Sequence, residues 1–226
     1  MNRKNIKIIR CQDKQEASEK ALSLVLKGVD SGTLLLLSGG SSPGLLYKLI
    51  AQNSTLKPGA VALIDERFGK QMHDNSNEKM IFNTGLTRYL ENAGIPIFKI
   101  LRDRNLKETQ VEYEKVVRDF IKNFAKKVAI MGIGTDGHTA GIKPDLEYDH
   151  TKFVAGYEDK DGLFGSRITL TIEALDKIDE FIVLVFGESK RDILERMLEE
   201  KDQKKFPACF YVKSPAKTTI LTDIEE

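Results

Sequence analysis

Residues 128–139 combine a buried strand with a glycine-rich loop and read Val128-Ala-Ile-Met-Gly-Ile-Gly-Thr-Asp-Gly-His-Thr139. The run from Val128 to Ile133 is apolar throughout, without the alternation expected of a strand that has one face in water. Continuous runs of this kind are typical of parallel strands that are covered by helices on both faces. The glycines behind the run predict a turn at the carboxyl end of the strand, where open α/β sheets bind their ligands.

Apolar runs of strand length recur along the chain and alternate with longer segments of helical period. The runs cover residues 6–9, 33–37, 61–64 and 181–186, and amphipathic helical segments cover residues 17–25, 113–124 and 193–198. This alternation predicts an α/β fold whose sheet is mostly parallel. No repeat, low-complexity tract or linker divides the chain, so we expect residues 1–226 to form a single domain.

The composition limits the partners that the chain can have. Its 226 residues carry 35 basic and 34 acidic side chains, so the formal net charge is +1. This balance gives no reason to expect nucleic acid or an anionic membrane as a partner, and any anion must be recognised locally. The two cysteines, Cys11 and Cys209, are far apart and lack metal-ligand spacing, so we expect neither a disulfide nor a metal site. With no signal peptide or membrane span in the sequence, we expect a cytoplasmic protein.

The first loop that carries chemistry lies between a buried strand and a helical segment and reads Ser38-Gly39-Gly40-Ser41-Ser42-Pro43. Glycines let a ligand approach the backbone, serines supply hydroxyl and N–H groups, and proline suits the first turn of a helix. The pattern is typical of an anion site at a helix N-terminus. It lacks the Gly-Lys-Ser/Thr of a P-loop, so the phosphate of a small molecule fits better than a nucleotide. An ordinary turn with a capping serine explains the loop equally well.

The loop that starts at residue 132 formally contains Gly-x-Gly-x-x-Gly, the pattern of a dinucleotide site. Such a site needs a long helix directly afterwards, whereas Gly141 and Pro144 interrupt the next segment. What remains is a carboxylate, Asp136, two residues before an imidazole, His138, at the end of a central strand. Imidazole exchanges protons near neutral pH and a carboxylate can fix its tautomer, so the pair is a candidate general base. The other two histidines have no such setting and are interpreted as structural.

Further charged residues stand near the ends of other elements. Asp65, Glu66 and Arg67 follow the run at residues 61–64, at the edge of the sheet where ligands bind. Taken alone, that cluster is more typical of surface salt bridges. Arg167 and Lys190 are isolated cations, and Lys190 stands in the first turn of a predicted helix, where a lysine opposes the helix dipole. A nearby anion would explain it, although surface lysines without a function are common.

Six segments, taken in order, resemble the 6-phosphogluconolactonase family. They are residues 37–43, 65–67, 76–77, 132–140, 167–171 and 187–190, and the Asp-Gly-His-Thr-Ala at 136–140 is the most specific of them. The resemblance implies a three-layer αβα fold of the sugar-phosphate isomerase and deaminase type, with a doubly wound, Rossmann-like sheet. It also implies hydrolysis of 6-phospho-D-glucono-1,5-lactone to 6-phosphogluconate, without a metal or any other cofactor.

The family's functional residues carry over onto the matching positions of this chain. The resemblance implies that His138 activates water, with Asp136 beside it, and that Arg67 faces the reacting end of the sugar. Asp65 is a further candidate for substrate binding. The residues that the resemblance implies for the phosphate group are Ser38, Gly39, Gly40, Ser41, Ser42, Arg167 and Lys190. We expect a monomer or a small homo-oligomer that binds a small sugar phosphate.

Glucosamine-6-phosphate deaminase is a close relative with the same Asp-Gly-His core, so it remains an alternative. Its pattern has tyrosine at position 67 and glutamate at position 143, where this chain has Arg67 and Lys143. A lysine cannot replace a carboxylate in a proton relay with His138. The chain also departs from the lactonase pattern, which usually has Ser-Leu-Phe-Pro where this chain has Gly141-Ile142-Lys143-Pro144.

A non-catalytic sugar-phosphate-binding module is the second alternative. Such a protein would keep the fold and the anion loop but would have no use for a base. The presence of both Asp136 and His138 argues against it.

Overall fold

The computed structural model describes residues 5–159 and 165–225, which contain ten strands and eight α-helices. The strands are β1 Ile6–Arg10, β2 Thr33–Leu37, β3 Ala60–Leu63, β4 Asp65–Arg67, β5 Ile97–Phe98, β6 Lys126–Gly132, β7 Val154–Asp159, β8 Gly165–Leu170, β9 Glu180–Val185 and β10 Lys217–Thr222. The helices are α1 Lys14–Gly28, α2 Gly44–Asn53, α3 Asn77–Asn83, α4 Leu86–Asn92, α5 Leu106–Asn123, α6 Ile172–Leu175, α7 Arg191–Glu199 and α8 Phe210–Lys213. None of these helices is long and apolar enough to cross a membrane.

Seven parallel strands form the main sheet in the order β1-β10-β9-β6-β2-β3-β5. Four of the five apolar runs of the sequence become β2, β3, β6 and β9, which all hold interior positions, and the run at residues 6–9 becomes the edge strand β1. Every residue of β2 and β3 is buried. The predicted α/β fold with a mostly parallel sheet is therefore confirmed.

Helices cover the main sheet on both faces. On one face, Leu36 of β2 borders the same small gap in the core as Val117 of α5. On the other face, the next residue, Leu37, borders a gap that it shares with Ile81 of α3 and Leu90 of α4. Successive side chains of a strand point to opposite faces, so a strand between two helical layers has to be apolar at every position. The architecture is the predicted three-layer αβα arrangement.

The order in which successive strands are added to the main sheet reverses between β2 and β6. From β2 the chain moves outward through β3 to β5, and from β6 it moves the other way through β9 to β10. The connections after β2 and β6 therefore diverge and open a crevice at the carboxyl ends of these two strands. The two loops that the sequence analysis singled out follow these strands and border the crevice.

A smaller antiparallel sheet in the order β4-β8-β7 begins directly after β3. This sheet was not predicted from the sequence, because β4 consists of three charged residues and β7 has no apolar run. Strand β10 was also missed, since Thr218, Thr219 and Thr222 interrupt its apolar pattern although all three are buried. The small sheet matters for the site because it brings Arg67 and Arg167 to the crevice.

Candidate active site

A cavity of about 360 Å³ opens at the crevice between β2 and β6. Asp136 lies against the imidazole of His138 but does not itself line the cavity. All the other predicted site residues line the cavity, namely Ser38, Gly39, Gly40, Ser41, Ser42, Asp65, Arg67, His138, Arg167 and Lys190. The structure thus gathers residues from widely separated parts of the sequence around one space.

The loop at residues 38–42 is fixed from two sides. The N–H of Ser38 donates to the carbonyl of Ile130 on β6 at 3.0 Å, and the hydroxyl of Tyr47 on α2 donates to the carbonyl of Ser38 at 2.8 Å. Gly40 has a φ of +91°, which favours glycine. Helix α2 begins directly behind this loop, so the N–H groups of its first turn and the positive end of its dipole lie beside the cavity.

Asn77 connects this loop to the carboxylate of Asp65. Its Nδ2 donates to the backbone carbonyl of Asp65 at 2.9 Å and to Oδ2 of the same residue at 3.1 Å. Its Oδ1 approaches Gly39 so closely that a Cβ on Gly39 would overlap with it. Close packing therefore requires glycine at position 39, because a larger residue would displace Asn77 and release Asp65.

His138 is held by Asp136. Its Nδ1 lies 2.6 Å from Oδ1 of Asp136, which also accepts the backbone N–H of His138 at 3.1 Å. Burial alone would raise the pKa of Asp136, but the hydrogen bonds from the ring and the backbone N–H of His138 outweigh burial and lower that pKa. Because an ionised carboxylate can only accept, Nδ1 carries the proton, and Nε2 is left to take a proton from a molecule in the cavity.

Glycines of the same loop seat the imidazole. A Cβ on Gly134 would overlap with the ring of His138, and the N–H of Gly134 donates to the carbonyl of His138 at 2.9 Å. Gly137 has a φ of +84° and packs so closely on Phe206 that a Cβ would overlap with that ring. The glycine pattern that formally matches a dinucleotide fingerprint thus serves to position a histidine.

Two arginines reach the cavity from neighbouring strands. Arg67 on β4 and Arg167 on β8 are directly opposite in the antiparallel register, so their side chains lie on the same face. Nη1 of Arg67 donates to the carbonyl of Asn75 at 2.8 Å, and Nε of Arg167 donates to Oδ2 of Asp159 at 2.9 Å. Like charges in directly opposite positions are unfavourable, and this favours an anionic ligand in the cavity.

Lys190 reaches the cavity from the β9 side. It was predicted to lie in the first turn of a helix, but it is the last residue of a 3₁₀ turn, Glu188–Lys190, directly before α7. Its ammonium group donates to the carbonyl of Ile133. Desolvation lowers the pKa of this half-buried amine, and the nearby charge of Asp136 opposes that shift.

Lys14 is a cation beside the loop that the sequence analysis missed. It is the first residue of α1, and its ammonium group donates to the carbonyl of Ser41 at 2.8 Å. The same group lies 5.7 Å from the ring centroid of Phe186. A signal was present in the sequence, because a lysine at the start of a helix opposes the helix dipole, which is the argument that singled out Lys190.

Asp65 and Glu66 are neighbours with different surroundings. Asp65 lines the cavity, whereas Glu66 is fully buried. The carboxylate of Glu66 accepts the backbone N–H groups of Arg67, Asn77 and Glu78 at 2.7, 2.6 and 2.9 Å. Burial raises the pKa of Glu66 to about 7, although these three bonds oppose the shift. Glu66 therefore joins β4 to the start of α3, and Asp65 is the member of the pair that lines the cavity.

The geometry defines a class of protein. An imidazole held by a carboxylate can take and return a proton, and cations beside a helix N-terminus can hold a phosphate group. Both features lie in one cavity at the switch point of a doubly wound sheet. The fold and the site together define an α/β protein equipped for proton transfer on a small anionic molecule.

Comparison with known proteins gives the family. Residues 11–221 match the family described as glucosamine-6-phosphate isomerases/6-phosphogluconolactonase, and the chain belongs to this family. A 6-phosphogluconolactonase of Bos taurus is 30% identical over 192 residues, which cover 80% of this chain and 74% of the bovine protein.

Solved structures share the fold over nearly the whole chain. A 6-phosphogluconolactonase from Plasmodium vivax superposes with a TM-score of 0.78 at 20% identity, over 96% of this chain and 90% of the other. A monomeric glucosamine-6-phosphate deaminase superposes with a TM-score of 0.77 at 19% identity, over 96% of both chains. The shared fold therefore does not distinguish the two activities, and the site residues have to do so.

Proposed function

We propose that this chain hydrolyses 6-phospho-D-glucono-1,5-lactone to 6-phosphogluconate, a step of the oxidative pentose phosphate pathway. The observation that carries the proposal is the His138–Asp136 pair in one site with Arg67, Arg167 and Lys190. The family includes 6-phosphogluconolactonases, and the bovine relative carries that name. The chain would accordingly be a carboxylic ester hydrolase.

The phosphate end of the substrate would bind at residues 38–42. There Ser38, Ser41 and Ser42 line the same cavity as Arg167 and Lys190, and α2 begins two residues after Ser42. A phosphomonoester carries close to two negative charges at neutral pH, which two cations and a helix N-terminus complement. In this orientation the sugar ring extends toward Arg67 and His138, and the carboxylate of Asp65 can accept a sugar hydroxyl.

The chemistry requires a base and a group that stabilises an oxyanion. Nε2 of His138 takes a proton from water while the water oxygen forms a bond to C1 of the lactone, and the π electrons of the carbonyl move onto its oxygen. Arg67 or N–H groups of the loops stabilise that charge. The carbonyl then reforms, the bond between C1 and the ring oxygen breaks, and the imidazolium returns its proton to the ring oxygen. The product acid releases a proton to solvent, so water is the only co-substrate that the reaction consumes.

Two positions favour a lactonase over a deaminase. Position 67 holds an arginine that lines the cavity, and position 143 holds a lysine in place of the deaminase glutamate. Nζ of Lys143 donates to Oδ1 of Asp159 at 2.5 Å, so this residue supplies no carboxylate for a relay with His138. The imidazole–carboxylate pair in turn favours an enzyme over a non-catalytic binding module, because phosphate binding needs no base.

Two parallel assays of the purified chain test the proposal. The first follows the loss of freshly generated lactone above its uncatalysed hydrolysis, and the second follows ammonia release from glucosamine 6-phosphate. We expect lactone hydrolysis and no ammonia. Ammonia release would support the deaminase instead, and phosphate binding without either activity would support the binding module.

The cellular location and the oligomeric state of the chain are part of the same proposal. Its two free cysteines, of which Cys209 is buried, are compatible with a reducing compartment, and we propose a cytoplasmic enzyme. It would act as a monomer or a small homo-oligomer on a small sugar phosphate, without nucleic acid. Light scattering at several concentrations measures the assembly, and cell fractionation measures the location.

A further inference from the structure

Asp159, the last residue of β7, is a buried carboxylate that binds two cations at once. Its Oδ1 accepts from Nζ of Lys143 at 2.5 Å, and its Oδ2 accepts from Nε of Arg167 at 2.9 Å. The side chain of Asp159 is 3% exposed, compared with 31% for Lys143. Burial alone would raise the pKa of Asp159, but the bonds from Lys143 and Arg167 lower it, so the carboxylate stays charged.

The two cations belong to different cavities. Arg167 lines the candidate active site, whereas Lys143 lines a neighbouring cavity of about 270 Å³ together with Tyr148 and His150. Asp159 therefore links one residue of the active site to one residue outside it. A change at Lys143 can act on the active site through this carboxylate without removing any group from the cavity wall.

The charges of the three residues determine how strongly Arg167 attracts an anion. A carboxylate bonded to its Nε opposes the positive charge that the guanidinium presents to a phosphate group. Water screens a buried charge poorly, so the opposition from Asp159 would be strong. Lys143 supplies a second positive charge at the same carboxylate, and two cations with one carboxylate leave a net charge of +1 beside the cavity.

We propose that Lys143 is a positioning residue for substrate binding, because it neutralises Asp159 and lets that carboxylate orient Arg167 without cancelling its charge. This inference rests on the proposed function, in which Arg167 binds the phosphate group of the substrate. It gives a role to the position at which this chain has a lysine and the lactonase pattern has a phenylalanine. Lys143 and Asp159 would then form a neutral ion pair that holds Arg167 in place at the phosphate site.

The competing role for Lys143 is to anchor the loop that follows β6 and carries His138. That loop is already tied to the small sheet at Gly141, whose N–H donates to Oγ1 of Thr169 at 2.9 Å and whose carbonyl accepts the hydroxyl of Tyr157 at 2.6 Å. These bonds hold the loop independently of the lysine. If Lys143 served only as an anchor, its loss would lower kcat through His138 and leave phosphate affinity unchanged.

Three variants and a matched control separate charge from anchoring. Lys143→Met removes the charge, and Lys143→Arg keeps it. The double variant Lys143→Met with Asp159→Asn has neither the ammonium group nor the carboxylate, so Arg167 alone restores the net charge of +1. Lys204→Met is the control, because Lys204 lines the same neighbouring cavity but pairs with Glu147. Calorimetry measures the dissociation constant of inorganic phosphate at low and high ionic strength, and steady-state assays measure kcat and KM for the lactone.

We expect Lys143→Met to raise both the dissociation constant for phosphate and the KM about tenfold at low ionic strength, with kcat within about twofold. High salt should reduce the difference, because screening weakens the lost attraction. Lys143→Arg and the double variant should bind phosphate nearly as well as the wild type, and Lys204→Met should be unchanged.

Three results would overturn the inference: Lys143→Met binds phosphate like the wild type, the double variant binds as weakly as Lys143→Met, or Lys143→Met lowers kcat at constant KM. Phosphate binding is measured without turnover, so the two proposals can fail separately. A wild type that binds phosphate but leaves the lactone intact would overturn the proposed function alone. A wild type that does not bind phosphate would overturn the role of Lys143.

Discussion

Arg67 and Arg167 stand directly opposite each other across β4 and β8, and both side chains line the candidate active site. Their polar neighbours differ, because Arg67 donates to the carbonyl of Asn75 while Arg167 donates to the carboxylate of Asp159. The antiparallel register thus places two guanidinium groups at one side of the cavity in different settings. Under the proposed function, Arg167 would bind the phosphate group and Arg67 would face the reacting carbonyl.

The two arginines should therefore differ in their kinetic effects. Arg167→Ala removes a contact made equally in the ground state and the transition state, so we expect KM to rise about tenfold with little change in kcat. Arg67→Ala removes a charge that stabilises the oxyanion, so we expect kcat to fall about a hundredfold. Steady-state kinetics measure both, with Lys48→Ala, which removes an exposed cation of α2, as the control. Equal losses of kcat in the two arginine variants would contradict the assignment.

Asp136→Asn tests the partner of the base. The substitution preserves the size of the side chain but removes the charge that stabilises an imidazolium, and its amide can select the wrong tautomer of His138. We expect kcat to fall roughly a hundredfold while the affinity for 6-phosphogluconate is retained. Turnover and calorimetry measure the two quantities, and an unaltered kcat would show that the base works without this carboxylate.

Gly134→Ala tests the seat of the imidazole. The new Cβ would overlap with the ring of His138 and displace it, and a displacement of about 1 Å can cost a hundredfold in rate. Phosphate affinity should stay near that of the wild type, because the loop proposed to bind phosphate, residues 38–42, follows a different strand. Gly32→Ala is the matched control, since a Cβ there makes only an ordinary contact of 3.5 Å with Asp30. Wild-type kcat in Gly134→Ala would mean that the position of this ring does not limit the rate.

Glu66 should make the stability of the fold depend on pH. Burial raises its pKa from 4.5 to about 7, so between these values the folded chain holds more proton at this carboxyl than the unfolded chain does. Stability therefore falls as pH rises through this interval. A shift of this size corresponds to about 3 kcal/mol, which Glu66→Gln should remove. Urea unfolding of both proteins on either side of the interval measures the difference, and a difference that is constant with pH would contradict the account.

Most strands of the main sheet and the two loops of the site could be predicted from local patterns. Strands such as β2 and β6 are buried on both faces, which makes every position apolar and the run easy to recognise. Gly134, Asp136 and His138 follow such a strand directly, so their place at its carboxyl end was predictable as well. Their detailed contacts were not, because the close approach of Gly134 to the imidazole is a property of the folded loop.

The small sheet and its contacts could not be predicted. Nothing in Asp65-Glu66-Arg67 indicates that β4 pairs with β8, because the register is set by contacts between distant parts of the chain. Lys143 stood out in the sequence only as a departure from two family patterns. Its partner Asp159 belongs to no motif, and only the fold brings the two together.

The kcat for lactone hydrolysis by the wild type and by His138→Ala decides whether this chain is a lactonase whose base is His138. His150→Ala is the matched control, since that histidine is 69% exposed and pairs with Glu173 outside the site. We predict that the wild type and His150→Ala accelerate hydrolysis equally, and that His138→Ala loses about a hundredfold or more in kcat while it still binds 6-phosphogluconate. Wild-type turnover by His138→Ala, or a wild type that does not accelerate hydrolysis, would contradict the account.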